Sequence, residues 1–199
     1  MNVVIIKYNA GNIESVRNAL LRQGVDARIT ADPTLIRSAD KVIFPGVGEA
    51  SSTMAYLQKT CLDKLIPELK QPVLGICLGL QLMCRFSEEG NVDCLGIFPE
   101  RIKRFIPEKG KEFITKVPHM GWNTISKVSG DLFSPEMENA FVYFVHSYYA
   151  TAGEHTTARG DYIIPFSAAL QKDNFFATQF HPEKSGTVGA KILANFIAL

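Results

Sequence analysis

The sequence has no excess of charge of either sign and no long hydrophobic run. Its 21 lysines and arginines balance 20 aspartates and glutamates, which gives a formal net charge of +1 at pH 7. Proteins that bind nucleic acid or an anionic membrane surface usually carry a marked excess of basic residues, so the balance argues against both kinds of partner. No apolar stretch approaches the roughly 18 residues that a membrane-spanning helix needs.

Cysteine is scarce, and its spacing indicates no pairing. The four cysteines, at positions 61, 77, 84 and 94, form no CxxC motif. The first residues, MNVVIIKYNAGN, lack the basic segment and the apolar core of a secretory signal peptide. In a chain of 199 residues without such a signal, we expect reduced thiols rather than a disulfide framework. We therefore expect a cytoplasmic protein.

The first half of the chain alternates between strand and helix patterns. The continuous apolar run at residues 3–6 is typical of a strand covered on both faces. After a turn at residues 8–11, apolar residues at helical spacing predict a helix from near Asn12 that Gly24 ends. This alternation predicts an α/β fold with a mostly parallel central sheet and helices on both faces. Further strands are predicted over 27–29, 41–44 and 73–76, and helices after Pro33, over 51–69 with a break near Asp63, and over 78–86.

The second half, from about residue 96, has shorter runs that are separated by proline, glycine and charged turns. These runs predict an antiparallel extension of the sheet, and a last helix is expected over 189–198. No internal repeat or linker divides the chain, so one domain is predicted over residues 1–199. The predicted strands of this half are 101–106, 113–117, 141–145, 168–170 and 175–180.

The stretch PVLGICLGLQLMC places Cys77 where a predicted strand ends and a helix begins. Gly75 and Gly79 flank it in the pattern of a nucleophile elbow, a sharp turn that leaves no room for side chains at the flanking positions. A thiol at a helix N-terminus is also favoured as the thiolate. The alternative is a thiol that only fills the core, since free cysteine often packs as a small apolar residue.

A thiolate nucleophile needs a base, and the base needs an orienting group. His181 ends the apolar run FFATQF and is followed by Pro182 and Glu183. Residues i and i+2 of an extended chain point to the same side, so Glu183 is predicted to accept from one imidazole nitrogen while the other faces Cys77. The alternatives are a simple His-Pro turn and a glutamate that only caps the last helix.

A tetrahedral intermediate needs hydrogen-bond donors for its oxyanion. The amide of Leu78, directly after Cys77, is one candidate. A second donor is predicted from the PGVG segment at residues 45–48, whose glycines allow a close backbone approach. This segment also faintly resembles a glycine-rich dinucleotide loop, but it follows an internal strand and has no clear acidic partner for a ribose.

Three motifs, PGVG, GICLGLQ and HPEKS, resemble in order and spacing those of the class I (triad) glutamine amidotransferases. YNAGN, VPHMGWN and YFVHSYYA are similar to motifs of one subfamily, the glutaminase subunits of imidazole glycerol phosphate synthase, and all six together span residues 8–185. The resemblance implies a flavodoxin-like domain that hydrolyses L-glutamine through a cysteine thioester without a metal or organic cofactor. It further implies a heterodimer in which ammonia passes to a (β/α)₈-barrel cyclase subunit of the synthase, which acts in histidine biosynthesis.

The resemblance also assigns roles to the residues that match these motifs. Many relatives carry glycine where this chain has Asn9, and asparagine tolerates a positive φ better than most residues do. The implied residues are Cys77, His181 and Glu183 for the triad, Val47, Gly48 and Leu78 for the oxyanion, Gln81, Ser147 and Tyr148 for glutamine, and Asn12, His119, Met120, Trp122 and Lys184 for the partner interface.

Three alternatives stay open beside this hypothesis. The first is a glutaminase that serves pyridoxal phosphate synthesis, but VPHMGWN and HPEKS match the histidine-pathway subunits better. The second is a paralogue that supplies ammonia to sugar modification, which the shared motifs do not separate. The third is a flavodoxin-like binding module with a buried Cys77, whose thiol would not react with glutamine analogues.

Overall fold

The computed structural model describes residues 1–8, 13–107, 109–110 and 115–199. The predicted turn that contains Asn9 and the predicted interface residue Asn12 lie outside these ranges. The strand predicted over 113–117 lies partly outside them, and its described residues, 115–117, do not form a strand.

Parallel strands lie side by side in one half of the main sheet, up to one of its edges. Their side chains alternate between two apolar cores: Val3 and Ile5 contribute to one core, and Val4 and Ile6 to the other. This two-sided burial explains why the strands are continuous apolar runs in the sequence. Numbered along the chain, the neighbours in spatial order are β2 (Arg28–Thr30), β1 (Val3–Ile6), β3 (Lys41–Gly46), β4 (Val73–Cys77) and β13 (Phe175–Thr178).

Helices cover both faces of these strands, as the alternation predicts. The buried residues of α1 (Ile13–Leu21) and α6 (Gly186–Ala198) belong to the same core as Val3 and Ile5. The other face is covered by α2 (Pro33–Arg37), α3 (Ala50–Lys59), α4 (Leu62–Glu68) and α5 (Leu78–Met83). No helix in the described part of the chain is long and apolar enough to cross a membrane.

The second half of the chain extends the sheet with mostly antiparallel strands, which confirms the predicted fold class. One sheet therefore contains strands from both halves of the chain. The single domain over residues 1–199 stays a prediction. Beyond β13 lie β12 (Pro165–Lys172), β10 (Tyr148–Ala150), β7 (Arg101–Arg104), β5 (Phe86–Ser87) and β6 (Val92–Asp93), with β11 (Thr156–Asp161) paired to β12. A separate antiparallel pair consists of β8 (His119–Thr124) and β9 (Phe141–His146).

Two predictions about the sheet and its neighbouring helix are wrong. The strand expected over 175–180 is β13, which pairs in parallel with β4 on one side and antiparallel with β12 on the other. All four of its residues are buried, as in the neighbouring parallel strands β3 and β4. The helix expected over 78–86 ends at Met83, because the following backbone pairs elsewhere: Arg85 N–H donates to the Glu100 carbonyl, and Phe86 enters β5.

Two helix boundaries also differ from the sequence prediction. The break between α3 and α4 lies at Cys61, with a left-handed φ of 59°, rather than near Asp63. The hydroxyl of Thr60 donates to the Tyr56 carbonyl at this point, which takes up an acceptor at the end of α3. The last helix begins at Gly186, three residues earlier than expected, directly after the turn that carries Glu183.

Candidate active site

Cys77 is the last residue of β4 and stands directly before α5. Its backbone has φ 55° and ψ −106°, a strained conformation for a residue other than glycine. The flanking glycines are required by close packing, as the motif predicts: a Cβ on Gly79 would lie 2.0 Å from the Phe44 carbonyl oxygen, and one on Gly75 would lie 2.8 Å from Met83 Sδ. The turn therefore holds the thiol at the carboxyl edge of the parallel strands, where ligands bind in this class of sheet.

We expect Gly79→Ala to lower the stability of the fold substantially. The added methyl group meets a backbone oxygen, which cannot move aside as a flexible side chain can, and overpacking of this kind costs about 1–3 kcal/mol. For a chain of this size, that corresponds to a fall of roughly 2–10 °C in the melting temperature. Thermal unfolding measures the change. Gly75→Ala is the comparison variant and should lower the melting temperature less, because its nearest contact is the mobile end of Met83 and the backbone atoms of Gly79 lie farther away, at 3.0 and 3.1 Å. An unchanged melting temperature for Gly79→Ala would contradict the packing argument.

The oxyanion segment predicted from the sequence lies beside Cys77. Strands β3 and β4 pair in register so that Gly46 is opposite Cys77, which brings Val47 and Gly48 to the same edge. Gly48 has a φ of +129°, a conformation that favours glycine. With the amide of Leu78 at the start of α5, the backbone of both segments borders the space in front of the thiol.

His181 and Glu183 form a buried pair, but their backbone differs from the expected extended chain. Residues Pro182–Lys184 form a 3-10 turn, and within it the carboxylate of Glu183 still reaches the imidazole, with 2.7 Å between His181 Nδ1 and Glu183 Oε1. The two side chains are 2% and 0% exposed. The proline-directed turn, rather than strand alternation, therefore brings the pair together.

The environment of His181 favours the imidazolium. Burial opposes the charged form, but hydrogen bonding to Cys77 and Glu183 and the negative charge of both outweigh it and raise the pKa of His181 to about 10. Glu183 occupies Nδ1, so Nε2 is the nitrogen left to interact with Cys77; it is buried, and no other group in the described part of the chain takes it up. Such contacts often tighten only when a substrate is bound.

A cavity of about 310 Å³ opens in front of the thiol, and it brings together most of the residues that the motifs single out. Glu183 does not line it, because it stands behind His181. The predicted residues that line the cavity are Val47, Gly48, Cys77, Leu78, Gln81, Ser147, Tyr148 and His181.

Three polar residues of the site were missed by the sequence analysis: Glu89, Gln179 and His146, which also lines the cavity. Glu89 lines the cavity, and its carboxylate accepts from the Ala50 N–H at 2.9 Å. Burial raises the pKa of Glu89, against the effect of that hydrogen bond. Gln179 is fully buried, and its Nε2 lies 3.8 Å from Cys77 Sγ. Gln179 stands two residues before His181, a spacing in the sequence that could have indicated its place in the site. No such spacing marks Glu89, because only the path of the chain after α5 brings it there.

His119, which the resemblance places at the partner interface, has a buried side chain instead. Its imidazole is 4% exposed and its Nδ1 lies 3.0 Å from Nε2 of His146, whose Nδ1 lies 2.7 Å from the Tyr148 carbonyl. Burial lowers the pKa of His119 to about 4 and is the main cause that lowers that of His146 to about 3, so both are neutral at pH 7. Since a carbonyl only accepts, His146 donates from Nδ1, and His119 donates to His146. Through this pair, the buried side of β8 contacts His146, which lines the cavity.

Met120, Trp122 and Lys184 do lie together on the surface. Met120 and Trp122 are 62% and 56% exposed and alternate along β8 on one face. Trp122 pairs across the strands with Tyr143, and the ammonium of Lys184 lies 6.0 Å from the Tyr143 ring centroid. Exposed Phe141 belongs to the same strand pair. An apolar exposed patch with a basic rim is typical of a protein–protein contact.

Comparison with known proteins decides the family. The family described as "Glutamine amidotransferase class-I" matches residues 4–199. The chain belongs to this family. This glutamine amidotransferase is 64% identical over 199 residues to "Imidazole glycerol phosphate synthase subunit HisH" of Bacteroides fragilis strain YCH46, and 44% identical over 201 residues to the protein so named in Escherichia coli K12. Both matches cover 100% of each chain.

Solved structures confirm the fold of the glutamine amidotransferase. A putative GMP synthase component from Thermoplasma acidophilum superposes with a TM-score of 0.73 at 20% identity, and the match covers 100% of this chain and 93% of that one. A second structure, described as a glutamine amidotransferase, has a TM-score of 0.74 at 16% identity, with 99% and 98% covered. At these identities the likeness concerns the fold alone.

Proposed function

We propose that this glutamine amidotransferase is the glutaminase subunit of imidazole glycerol phosphate synthase and acts in histidine biosynthesis. The single observation that carries the proposal is the placement of Cys77 and His181 in one cavity of a chain that matches proteins of that name over its whole length. The proposal implies a cytoplasmic location and a partner that is the cyclase subunit of the synthase. It needs no metal or organic cofactor in the glutaminase.

The cavity offers groups that complement the two ends of L-glutamine. The carboxylate of Glu89 is suited to the α-ammonium group, and the backbone of Ser147 and Tyr148 to the α-carboxylate or ammonium. Gln81 donates from its Nε2 to the Tyr148 carbonyl and to Gln179, so its oxygen is the group left for the substrate. Bound in this way, glutamine extends its side-chain amide toward Cys77.

The reaction then follows from the geometry at the thiol. The Cys77 thiolate attacks the side-chain amide carbon, and the amides of Leu78 and the Val47–Gly48 segment stabilise the oxyanion. The imidazolium of His181 gives its proton to the leaving nitrogen as ammonia departs, which leaves a γ-glutamyl thioester. Neutral His181 next takes a proton from water, and the hydroxide equivalent hydrolyses the thioester to glutamate and free thiolate.

The released ammonia must be kept from bulk water, where it would be protonated and lose its nucleophilicity. The exposed patch of Met120, Trp122 and Lys184 is the surface that we assign to a (β/α)₈-barrel cyclase subunit, which would receive the ammonia. The cyclase would join it to a phosphorylated ribulosyl aminoimidazole carboxamide. The products of the pair are then imidazole glycerol phosphate and an aminoimidazole carboxamide ribotide.

The direct test mixes the chain with the purified cyclase and measures glutamate release with and without the phosphorylated substrate. We expect the isolated chain to be a poor glutaminase, with turnover that rises at least about tenfold in the complex, because glycine amides of the oxyanion segment reorient at low cost and are set by the partner. The complex should form imidazole glycerol phosphate from glutamine. No synthesis by the complex would refute the proposed function, and high turnover by the isolated chain would refute the expected activation by the partner.

Lys184→Ala should weaken the coupling to the cyclase more than it harms Cys77. The ammonium is exposed beside Tyr143 rather than in the cavity, so its loss should reduce glutamate release by the complex by about three- to tenfold at subsaturating cyclase. The rate at which Cys77 is alkylated in the isolated variant should stay within about twofold of that in the unmodified chain. Lys191→Ala, at an exposed ion pair with Glu136, is the control and should change neither quantity. Equal loss of coupling and of alkylation would contradict the interface assignment.

A further inference from the structure

A chain of side-chain amides connects the cavity wall to the thiol. Gln81 Nε2 donates to the Tyr148 carbonyl at 3.1 Å and to Gln179 Oε1 at 3.2 Å. Gln179 Nε2 in turn lies 3.8 Å from Cys77 Sγ. Gln179 is 0% exposed and Gln81 is 4% exposed, so water does not compete for these contacts.

The orientation of each amide in this chain is fixed by the group before it. A backbone carbonyl only accepts, so the Gln81 atom beside the Tyr148 carbonyl must be the NH₂ group. The second hydrogen of that NH₂ needs an acceptor, which is the oxygen of Gln179. The NH₂ group of Gln179 is therefore left to face Cys77, and it can only donate. The backbone at Tyr148 thus determines, through two amides, that a hydrogen-bond donor points at the sulfur.

We propose that Gln179 is a positioning residue of the glutaminase: it donates to the Cys77 thiolate through Nε2 and holds Gln81 at the glutamine-binding wall through Oε1. This inference rests on the proposed role of Cys77 as the nucleophile. A buried thiolate is costly unless donors surround it, and hydrogen bonds to a charged acceptor are about twice as strong as neutral ones. Gln179 supplies such a donor in addition to His181.

The two functions of Gln179 are separable by substitution, because one uses its nitrogen and the other its oxygen. Gln179→Glu keeps an acceptor for Gln81 but removes the donor and places a carboxyl group beside the sulfur. Gln179→Met keeps a similar volume and removes both contacts. Thr178→Val is the matched control: Thr178 is a fully buried polar neighbour whose hydroxyl donates to the Phe180 carbonyl rather than toward the cavity.

The experiment measures the pH dependence of Cys77 alkylation by iodoacetamide, together with kcat and KM for glutamine in the complex with the cyclase. For Gln179→Glu we expect the alkylation midpoint to rise by about one pH unit or more and kcat to fall at least about tenfold, with KM within about threefold. For Gln179→Met we expect a smaller rise of the midpoint and a KM increase of about tenfold. Thr178→Val should leave the midpoint and KM unchanged, and synthesis from ammonium salts should persist in every variant.

The outcomes separate this inference from the proposed function. If Cys77 of the unmodified chain does not react with a chloroketone analogue of glutamine, the proposed function fails. If it reacts and both Gln179 variants keep the unmodified midpoint and KM, the inference fails. Should the variants fold poorly, nitrogen-15 NMR of the unmodified chain decides: the Gln179 side-chain NH₂ signal should shift when Cys77 is alkylated, and an unmoved signal would overturn the inference.

Discussion

Cys77→Ser should abolish glutamine-dependent synthesis by the complex with the cyclase, while synthesis from added ammonium salts continues. The hydroxyl nearly matches the thiol in size, so the elbow keeps its shape, but it is a far weaker nucleophile in a site built to stabilise a thiolate. We expect a loss on the order of 10⁴-fold or more in glutamate release, comparable to other removals of a covalent nucleophile. The two activities are measured side by side, with glutamine and with ammonium chloride as nitrogen sources.

The control for this prediction is Cys61→Ser, because Cys61 is an exposed free cysteine between α3 and α4. It should retain both activities. Loss of glutamine-dependent and ammonia-dependent synthesis together in Cys77→Ser would mean that Cys77 acts in the structure and not in the chemistry. That result would revive the interpretation of the chain as a binding module with a buried thiol.

Glu183→Gln should lower glutamine turnover by about 10²- to 10⁴-fold, although it changes only a few atoms behind His181. Glu183 contributes to the raised pKa of His181, so its loss should lower that pKa while burial continues to oppose the charge. The protonated imidazole is needed to release ammonia, and it is lost as pH rises through the pKa of His181, which is about 10 in the unmodified chain. The alkaline limb of the pH–rate profile should therefore move to lower pH in the variant.

Glu154→Gln is the matched control, because Glu154 also contacts a histidine, with 3.2 Å between its Oε1 and His155 Nε2, but at the surface. Exposed polar contacts of this kind contribute little, so turnover and its pH profile should not change. A fall of less than about tenfold in Glu183→Gln, or an alkaline limb that does not move, would show that His181 does not depend on Glu183 for its charge.

The sequence by itself determined the features that depend on interactions between residues close together along the chain. The apolar runs specify strands buried on both faces, and Val16, Ala19 and Leu20 specify the buried side of α1. The glycines around Cys77 indicate the elbow, because a sharp strand-to-helix turn admits no Cβ at those positions. The proximity of His181 and Glu183 also follows from their separation of two residues, even though a 3-10 turn and not an extended chain brings them together.

Only the tertiary structure decided what depends on pairing between distant segments. Strand β13 lies inside the sheet, parallel to β4, and that pairing brings Gln179 and His181 to Cys77. Glu89 reaches the cavity because the chain after α5 leaves the helix to pair with β7.

The burial of His119 was likewise beyond sequence reasoning, because alternation along β8 shows that neighbouring residues face opposite ways but not which side the rest of the molecule covers. In the folded chain Met120 and Trp122 face outward, while His119 contacts His146 within. Local sequence thus indicated the candidate groups for the chemistry, through steric rules that act within a few residues. Long-range packing decided which of them meet, because the contacts that bury a side chain come from segments far away along the chain.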